Sequence, residues 1–128
     1  MSMNTFDFGH GPVPAHQHSN GGGWVADTAT VADTAYVGPD AKVFGNASVY
    51  DNAWVSDNAW VYGNAWVYGN ARVFGDAIVF DNASVSDNVI VFDNARVSGK
   101  AIVFDNAIVS GNAKVSGNAK VSGDAVLS

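Results

Sequence analysis

The sequence contains no cysteine, no glutamate and no long apolar run. Without cysteine, the 128-residue chain forms no disulfide and offers no thiolate to a metal. Without the roughly 18–20 consecutive apolar residues of a membrane span, it is not expected to cross a membrane. Residues 1–23 are polar and glycine-rich, unlike a signal peptide. We therefore expect a single cytoplasmic domain.

Positive charge is also scarce. Six lysines and arginines stand against 12 aspartates, which gives a net charge of -6. Because an acidic protein is repelled by a phosphate backbone, nucleic acid is not expected as a partner. The charge has a local origin, since every aspartate except Asp7 lies between the apolar positions of a short repeat.

That repeat has a period of six residues. Valine occurs at every sixth position from Val25 onward, and Leu127 continues the series without a slip. From residue 29 on, the position two residues earlier is alanine, with Val89 as the exception. The unit is therefore Ala-x-Val-x, followed by Gly or Asp and then Asn or Asp. Internal repetition of this kind is typical of stacked architectures.

The repeat predicts strands joined by tight corners. Ala-x-Val-x alternates like a four-residue strand with Ala and Val on the buried face. Gly, Asp and Asn then tolerate the left-handed backbone of a sharp corner. Three units are expected to close a triangular coil, and coils should stack about 4.8 Å apart through parallel pairing. Residues 24–128 thus predict six coils, roughly 29 Å long, and residues 1–23 a separate N-terminal cap.

The tandem hexapeptides, such as Val55-Ser56-Asp57-Asn58-Ala59-Trp60, resemble those of the hexapeptide-repeat left-handed β-helix family. They are also similar to hexapeptide proteins of bacteria and prophages that are often called transferases. The resemblance implies an all-β, left-handed parallel β-helix over residues 24–128. It implies a homotrimer, or a dimer of trimers as the larger assembly. It also makes coenzyme A-dependent acyl transfer an activity to consider.

The corner aspartates are predicted to be turn residues and not calcium ligands. The glycine-rich nonapeptide of calcium-binding β-rolls is absent, and glycine interrupts the aspartates. We therefore expect no metal site and no cofactor. One set of corner residues recurs every 18 positions and should form a hydrogen-bonded ladder. It consists of Asn52, Asn70, Asn88 and Asn106.

The outward positions form an aromatic belt in the second and third coils. Trp54, Trp60 and Trp66 belong to successive units and should therefore point in three directions. One apolar edge of the rod is predicted to pack a trimer interface, because a monomer that exposed it would aggregate. This edge consists of Trp60, Phe74, Ile78 and Phe92.

Five belt residues are candidates for a ligand site. They are Tyr50, Trp54, Trp66, Tyr68 and Arg72. Aromatic rings stack on a planar ligand, and a guanidinium binds phosphate, so a small planar anion such as a nucleotide would suit them. The alternative is that these residues only pack an interface between subunits.

All three histidines lie in the cap, at His10, His16 and His18. They are predicted either to contact a ligand and close over the belt, or to be solvated or packed within the cap. A metal-binding or catalytic role is the weakest alternative, because their spacing matches no tight zinc signature. Acyltransferases of the family usually carry a histidine on a coil or an inserted loop, and this chain has neither. We therefore predict no catalytic residue.

These observations favour a binding protein without enzymatic activity. The prediction is an oligomer that holds a nucleotide-like signal in grooves between subunits, as a phage-type sponge would. Two alternatives remain open. The first is an acyltransferase or acetyltransferase of the hexapeptide-repeat class, and the second is a purely structural scaffold or spike.

Overall fold

A computed structural model describes residues 4–128 as an all-β solenoid. Eighteen short strands, β3 to β20, follow one another along the chain. Each pairs in parallel with the strand three positions later, so residues 18 apart lie side by side, as Arg72 does with Trp54. The predicted stack of about six 18-residue coils is confirmed. The left hand of the coil stays a prediction from the family resemblance.

The strands form three faces of a triangular rod. The first face contains β3 (Trp24–Ala26), β6 (Lys42–Val43), β9 (Trp60–Val61), β12 (Ile78–Val79), β15 (Arg96–Val97) and β18 (Lys114–Val115). The second contains β4 (Thr30–Val31), β7 (Ser48–Val49), β10 (Trp66–Val67), β13 (Ser84–Val85), β16 (Ile102–Val103) and β19 (Lys120–Val121). The third contains β5 (Tyr36–Val37), β8 (Trp54–Val55), β11 (Arg72–Val73), β14 (Ile90–Val91), β17 (Ile108–Val109) and β20 (Val126–Leu127). Residues 4–128 include no helix suited to spanning a membrane.

Most strands of the rod are two residues long, and the prediction of four was wrong. Each corner turn includes the residue before and the residue after the two predicted corner residues. At residues 50–53, for example, the Ala53 N–H donates to the Tyr50 carbonyl over 3.2 Å, which closes a turn. Alanine is therefore both the last residue of the corner turn and the first residue whose side chain points into the core.

Valine and alanine fill the interior as the repeat predicts. Every valine of the series from Val37 to Val109 is 0 % exposed. These residues form one continuous cluster with the alanines between them. Because each face contributes one medium and one small side chain per coil, the core is a column packed from layer to layer.

The first residue of most corners has a left-handed backbone. The φ angle is 58° at Asp51 and 71° at Gly63, and the positions of this kind are occupied by eight glycines and six aspartates. The asparagine that follows does not adopt this conformation. Glycine reaches this conformation without strain, and aspartate tolerates it. The left-handed backbone therefore explains why these positions hold Gly or Asp.

The six left-handed aspartates also join one coil to the next. Asp51 Oδ2 accepts the N–H of Gly69 at 3.1 Å, and each of the others accepts the amide 18 residues later at 3.0–3.2 Å. A glutamate would carry its carboxylate one methylene farther out, which accounts for aspartate here. The asparagine ladder forms at one step only within residues 4–128, from Asn88 Nδ2 to Asn106 Oδ1 at 3.3 Å.

The cap extends the first face. Strands β1 (Thr5–Asp7) and β2 (Pro12–Gln17) form an antiparallel hairpin whose second strand pairs with β3. Its aromatic side chains lie in a small apolar cluster separate from the Val–Ala core. Phe6 stacks on Trp24 with ring centroids 4.9 Å apart, and Phe8 stacks on Phe44 at 4.8 Å.

Residues 18–23 cover the edge of the third face. The Gly23 N–H donates to the Val37 carbonyl, and the Val37 N–H donates to the Asn20 carbonyl, both over 3.0 Å. A Cβ atom on Gly23 would lie 2.2 Å from the Gly38 carbonyl oxygen. The glycine-rich segment is therefore required by its close approach to β5.

The corner geometry predicts losses of different size for two substitutions of Gly63. A Cβ atom there would lie 2.9 Å from the Asp81 nitrogen at a φ of 71°. Gly63→Ala should lower the free energy of unfolding by about 1–2 kcal/mol, because the left-handed conformation penalises a side chain. Gly63→Asp should lose less, since its carboxylate can accept the Asp81 N–H. Urea unfolding of both variants tests this, and equal losses would contradict the proposed bond.

Candidate functional site

Trp54 and Arg72 lie side by side on the third face. Their strands, β8 and β11, are paired with these two residues in register. Val55 and Val73 point into the core, so the alternation of the strands places both Trp54 and Arg72 outside, and both are exposed. The 18-residue register therefore sets an indole directly beside a guanidinium.

Tyr36 supports the Trp54 ring from the preceding coil. The two rings are stacked with centroids 4.0 Å apart and planes inclined by 16°. Trp54 nevertheless remains 43 % exposed. Its orientation is thus fixed by packing while much of the indole stays open to solvent.

Two shallow depressions flank this pair. One, of about 320 Å³, is lined by Trp54, Ser56, Arg72 and Phe74. The other, of about 480 Å³, lies toward the corner and is lined by Asn52, Trp54, Asn70, Arg72, Asn88 and Ile90. The surface thus combines an aromatic ring, a positive charge and carboxamides that both donate and accept hydrogen bonds.

Arg72 has no acidic partner within residues 4–128, where His16 and Asp27 form the single ion pair. A guanidinium offers five N–H donors in a planar fork that matches a carboxylate or phosphate. The Arg72 side chain is therefore available to an external anion.

Tyr50, Trp66 and Tyr68 form a separate cluster on the second face. The ring centroids of Tyr50 and Trp66 are 6.0 Å apart, and those of Trp66 and Tyr68 are 6.4 Å apart, both edge to face. Among the described residues, none of these rings stacks on Trp54. One chain therefore divides the five predicted ligand-site residues into two patches on neighbouring faces.

A further set of aromatic side chains stacks along the rod. Phe8, Phe44, Tyr62 and Phe80 form a continuous column with successive centroids 4.8, 4.7 and 5.2 Å apart. The last three are 18 residues apart in the sequence, so the register that pairs the strands also aligns their rings along the rod. Because neighbouring rings of the column cover one another's faces, the column leaves no gap in which a planar ligand could stack between two of its rings.

The three histidines do not border either depression beside Trp54 and Arg72. His18 is only 5 % exposed, and its Nε2 donates to the Ala35 carbonyl over 2.8 Å. This contact packs His18 within the cap, which is one of the alternatives that the sequence leaves open. His10 lines a different cavity, within the cap.

His16 forms a pair with Asp27. Its Nδ1 lies 2.7 Å from Asp27 Oδ1, and both side chains are half exposed. A histidine held by a carboxylate at Nδ1 keeps Nε2 free, which is the arrangement of a general base. In the described part of the chain, no three His, Cys, Asp or Glu side chains are placed to hold a metal.

Comparison with known proteins supports the class of fold. A family model described as the YdcK beta solenoid repeat matches residues 53–69 and 65–81, which include Trp54, Trp66 and Arg72. No curated protein and no solved structure shows a significant match. The chain is a repeat β-solenoid.

The ring column predicts how stability depends on alkaline pH. Burial raises the pKa of Tyr62 above its usual value of 10.0, the charge of Asp81 raises it further, and Arg96 opposes the rise. The folded protein thus keeps a proton that the unfolded chain releases above about pH 10, so stability falls as the pH rises.

Tyr62→Phe should therefore reduce the loss of stability between about pH 9 and pH 11. Urea unfolding at several pH values measures the effect, with Tyr50→Phe as a control outside the column. An unchanged alkaline loss in Tyr62→Phe would contradict this explanation.

Proposed function

We propose that this chain is a non-enzymatic, oligomeric protein of the hexapeptide-repeat left-handed β-helix type that binds and sequesters small planar anions such as nucleotides. The observation that supports the proposal is the exposed Trp54 ring, backed by Tyr36 and set beside Arg72. A phage-type sponge for a nucleotide signal is the role we favour for such a protein.

The energy available from these contacts is adequate for this role. Stacking of a base on an aromatic side chain contributes about 1–3 kcal/mol in nucleic-acid binders. A bond between arginine and phosphate is about twice as strong as a neutral hydrogen bond. Because Trp54 and Arg72 stand on paired strands with fixed backbones, binding has to order their side chains but not the backbone. Micromolar affinity, about -8 kcal/mol, is therefore within reach.

A homotrimer would deepen the shallow surface into a groove. The apolar edge of Trp60, Phe74, Ile78 and Phe92 joins the third face to the first and is half-buried in the isolated chain. Placing this edge on a threefold axis turns the third face of each subunit toward the first face of its neighbour. Trp54 and Arg72 would then line the groove, whereas Tyr50, Trp66 and Tyr68 would remain on the outer, second face.

The binding prediction concerns Arg72 and Trp54. In calorimetry against mono-, di- and cyclic nucleotides and nucleotide sugars, at least one ligand should bind in the micromolar range. Arg72→Ala should weaken phosphorylated ligands at least about tenfold and spare nucleosides, because it removes only the charged contact. Trp54→Ala should weaken both classes.

Arg96→Ala, which removes the only other arginine, is the matched control and should change little. If no ligand binds below about 1 mM, or if binding ignores both substitutions, the belt only packs subunits. The scaffold alternative would then take the place of the proposal.

The assembly prediction concerns the apolar edge. Ile78→Asp should split the trimer, because a charge buried in an apolar interface is strongly penalised. Ile102→Asp is the matched control on the second face, where Ile102 is 37 % exposed, and should leave the trimer intact. Light scattering measures both. A monodisperse wild-type monomer would refute the trimer.

One observation favours the acyltransferase alternative, namely the pairing of His16 with Asp27 at 2.7 Å. The free Nε2 of His16 has the chemistry of a general base. Turnover of acetyl-coenzyme A that is abolished by His16→Ala would support this alternative over binding alone.

A further inference from the structure

The cavity that His10 lines lies at the cap, away from Trp54 and Arg72. It has a volume of about 440 Å³, within the range of small-molecule sites. Its walls are mostly apolar and include Phe8, Val13, Pro14, Ala26 and Phe44. Its polar lining includes His10 and Asp27. The cavity lies between the β1–β2 hairpin and the first coils of the solenoid.

The walls of this cavity are held in place by contacts within the chain. Asp7 Oδ1 accepts the N–H groups of Gly9 and Gly11 at 2.7 and 3.0 Å, which fixes the loop that carries His10. Phe8 is 6 % exposed and stacks on Phe44. The cavity is thus preformed, and a ligand would not have to order it.

The charge of the cavity comes from Asp27. Within residues 4–128, only His16 hydrogen-bonds to this carboxylate, through Oδ1, so Oδ2 has no protein partner. Of the described residues, Asp27 is the only carboxylate that lines this apolar cavity, and its Oδ2 can accept a hydrogen bond from a ligand.

We propose that the cap cavity binds a small organic cation with an apolar, aromatic body and an ammonium group that pairs with Asp27. The rings of Phe8 and Phe44, with Val13 and Pro14, provide the apolar walls. A carboxylate favours a cation over an anion of the same shape. The preference is opposite to that of the site at Arg72, and this proposal does not depend on the one made there.

Three probes of matched shape test the proposal on the full chain at about pH 8. They are 1-naphthylmethylammonium, 1-naphthalenemethanol and 1-naphthoate. In nuclear magnetic resonance titrations, the ammonium probe should shift the amide signals of Gly11 and Gly45 with a Kd below about 1 mM. It should bind at least about fivefold more tightly than the naphthoate.

Two substitutions separate the parts of the proposal. Asp27→Asn should bring the affinities of the ammonium and alcohol probes together, whereas Asp33→Asn, the same change one repeat later, should not. Val13→Trp should fill the cavity and abolish binding of all three probes. Should Val13→Trp fail to fold, nuclear Overhauser effects from the ammonium probe to the Val13 methyl groups of the wild-type protein locate the site directly.

Three results would overturn the proposal. The first is that the ammonium probe does not bind. The second is that the naphthoate binds as tightly as the ammonium probe. The third is contact of the probe with Trp54 or Trp66 in place of Val13, which would move the site to the belt. Arg72→Ala leaves the cap untouched, so loss of nucleotide binding in that variant does not bear on this site.

Discussion

The backbone pairing of each coil with the next, in an unbroken register of 18 residues, is the constraint on which the rest of the structure depends. The Trp54 N–H donates to the Ala71 carbonyl over 2.9 Å, and the Ser56 N–H donates to the Val73 carbonyl over 3.0 Å. The same register stacks valine on valine inside the rod, bonds a corner aspartate to the amide 18 residues later, and aligns aromatic rings outside. A single inserted residue would break all three at once, since a slip of one position turns inward side chains outward.

The corner aspartates explain why Arg72 has no ionic partner in the described part of an acidic chain. The chain is acidic, and Asp51 and Asp87 lie on the corner next to the third face. Their Oδ2 atoms, however, accept the backbone amides of Gly69 and Asp105 at 3.1 and 3.0 Å. These bonds direct the carboxylates along the rod toward the next coil, and no carboxylate of residues 4–128 lies within ion-pair distance of Arg72. The negative charge of the protein thus follows from turn chemistry, and Arg72 remains without an ionic partner among the described residues.

The period predicted the coils and the core because each hexapeptide repeats the same environment. The pairing of Trp54 with Arg72 was predictable for the same reason, since the two residues are 18 apart. The cap was not predictable in this way, because each of its contacts, such as His18 with Ala35, involves a residue outside the repeat. Strand length was overestimated, since the pattern of apolar residues does not show that alanine also closes the turn. Tyr50, Trp66 and Tyr68 do not group with Arg72 in the single chain, because they belong to strands of the neighbouring face or directly follow them.

The ring columns give a reason to separate structural aromatics from functional ones. On the first face, Phe8, Phe44, Tyr62 and Phe80 continue the ladder over four layers, and Ser98, the next residue in register, ends it. On the third face, the ladder stops after Tyr36 and Trp54, and the next residue in register is Arg72. A further ring at position 72 would have extended the stack over Trp54, whereas an arginine leaves much of the indole exposed and adds a charge beside it. For the proposed binding of a planar anion, this arrangement offers a ring face beside a positive charge.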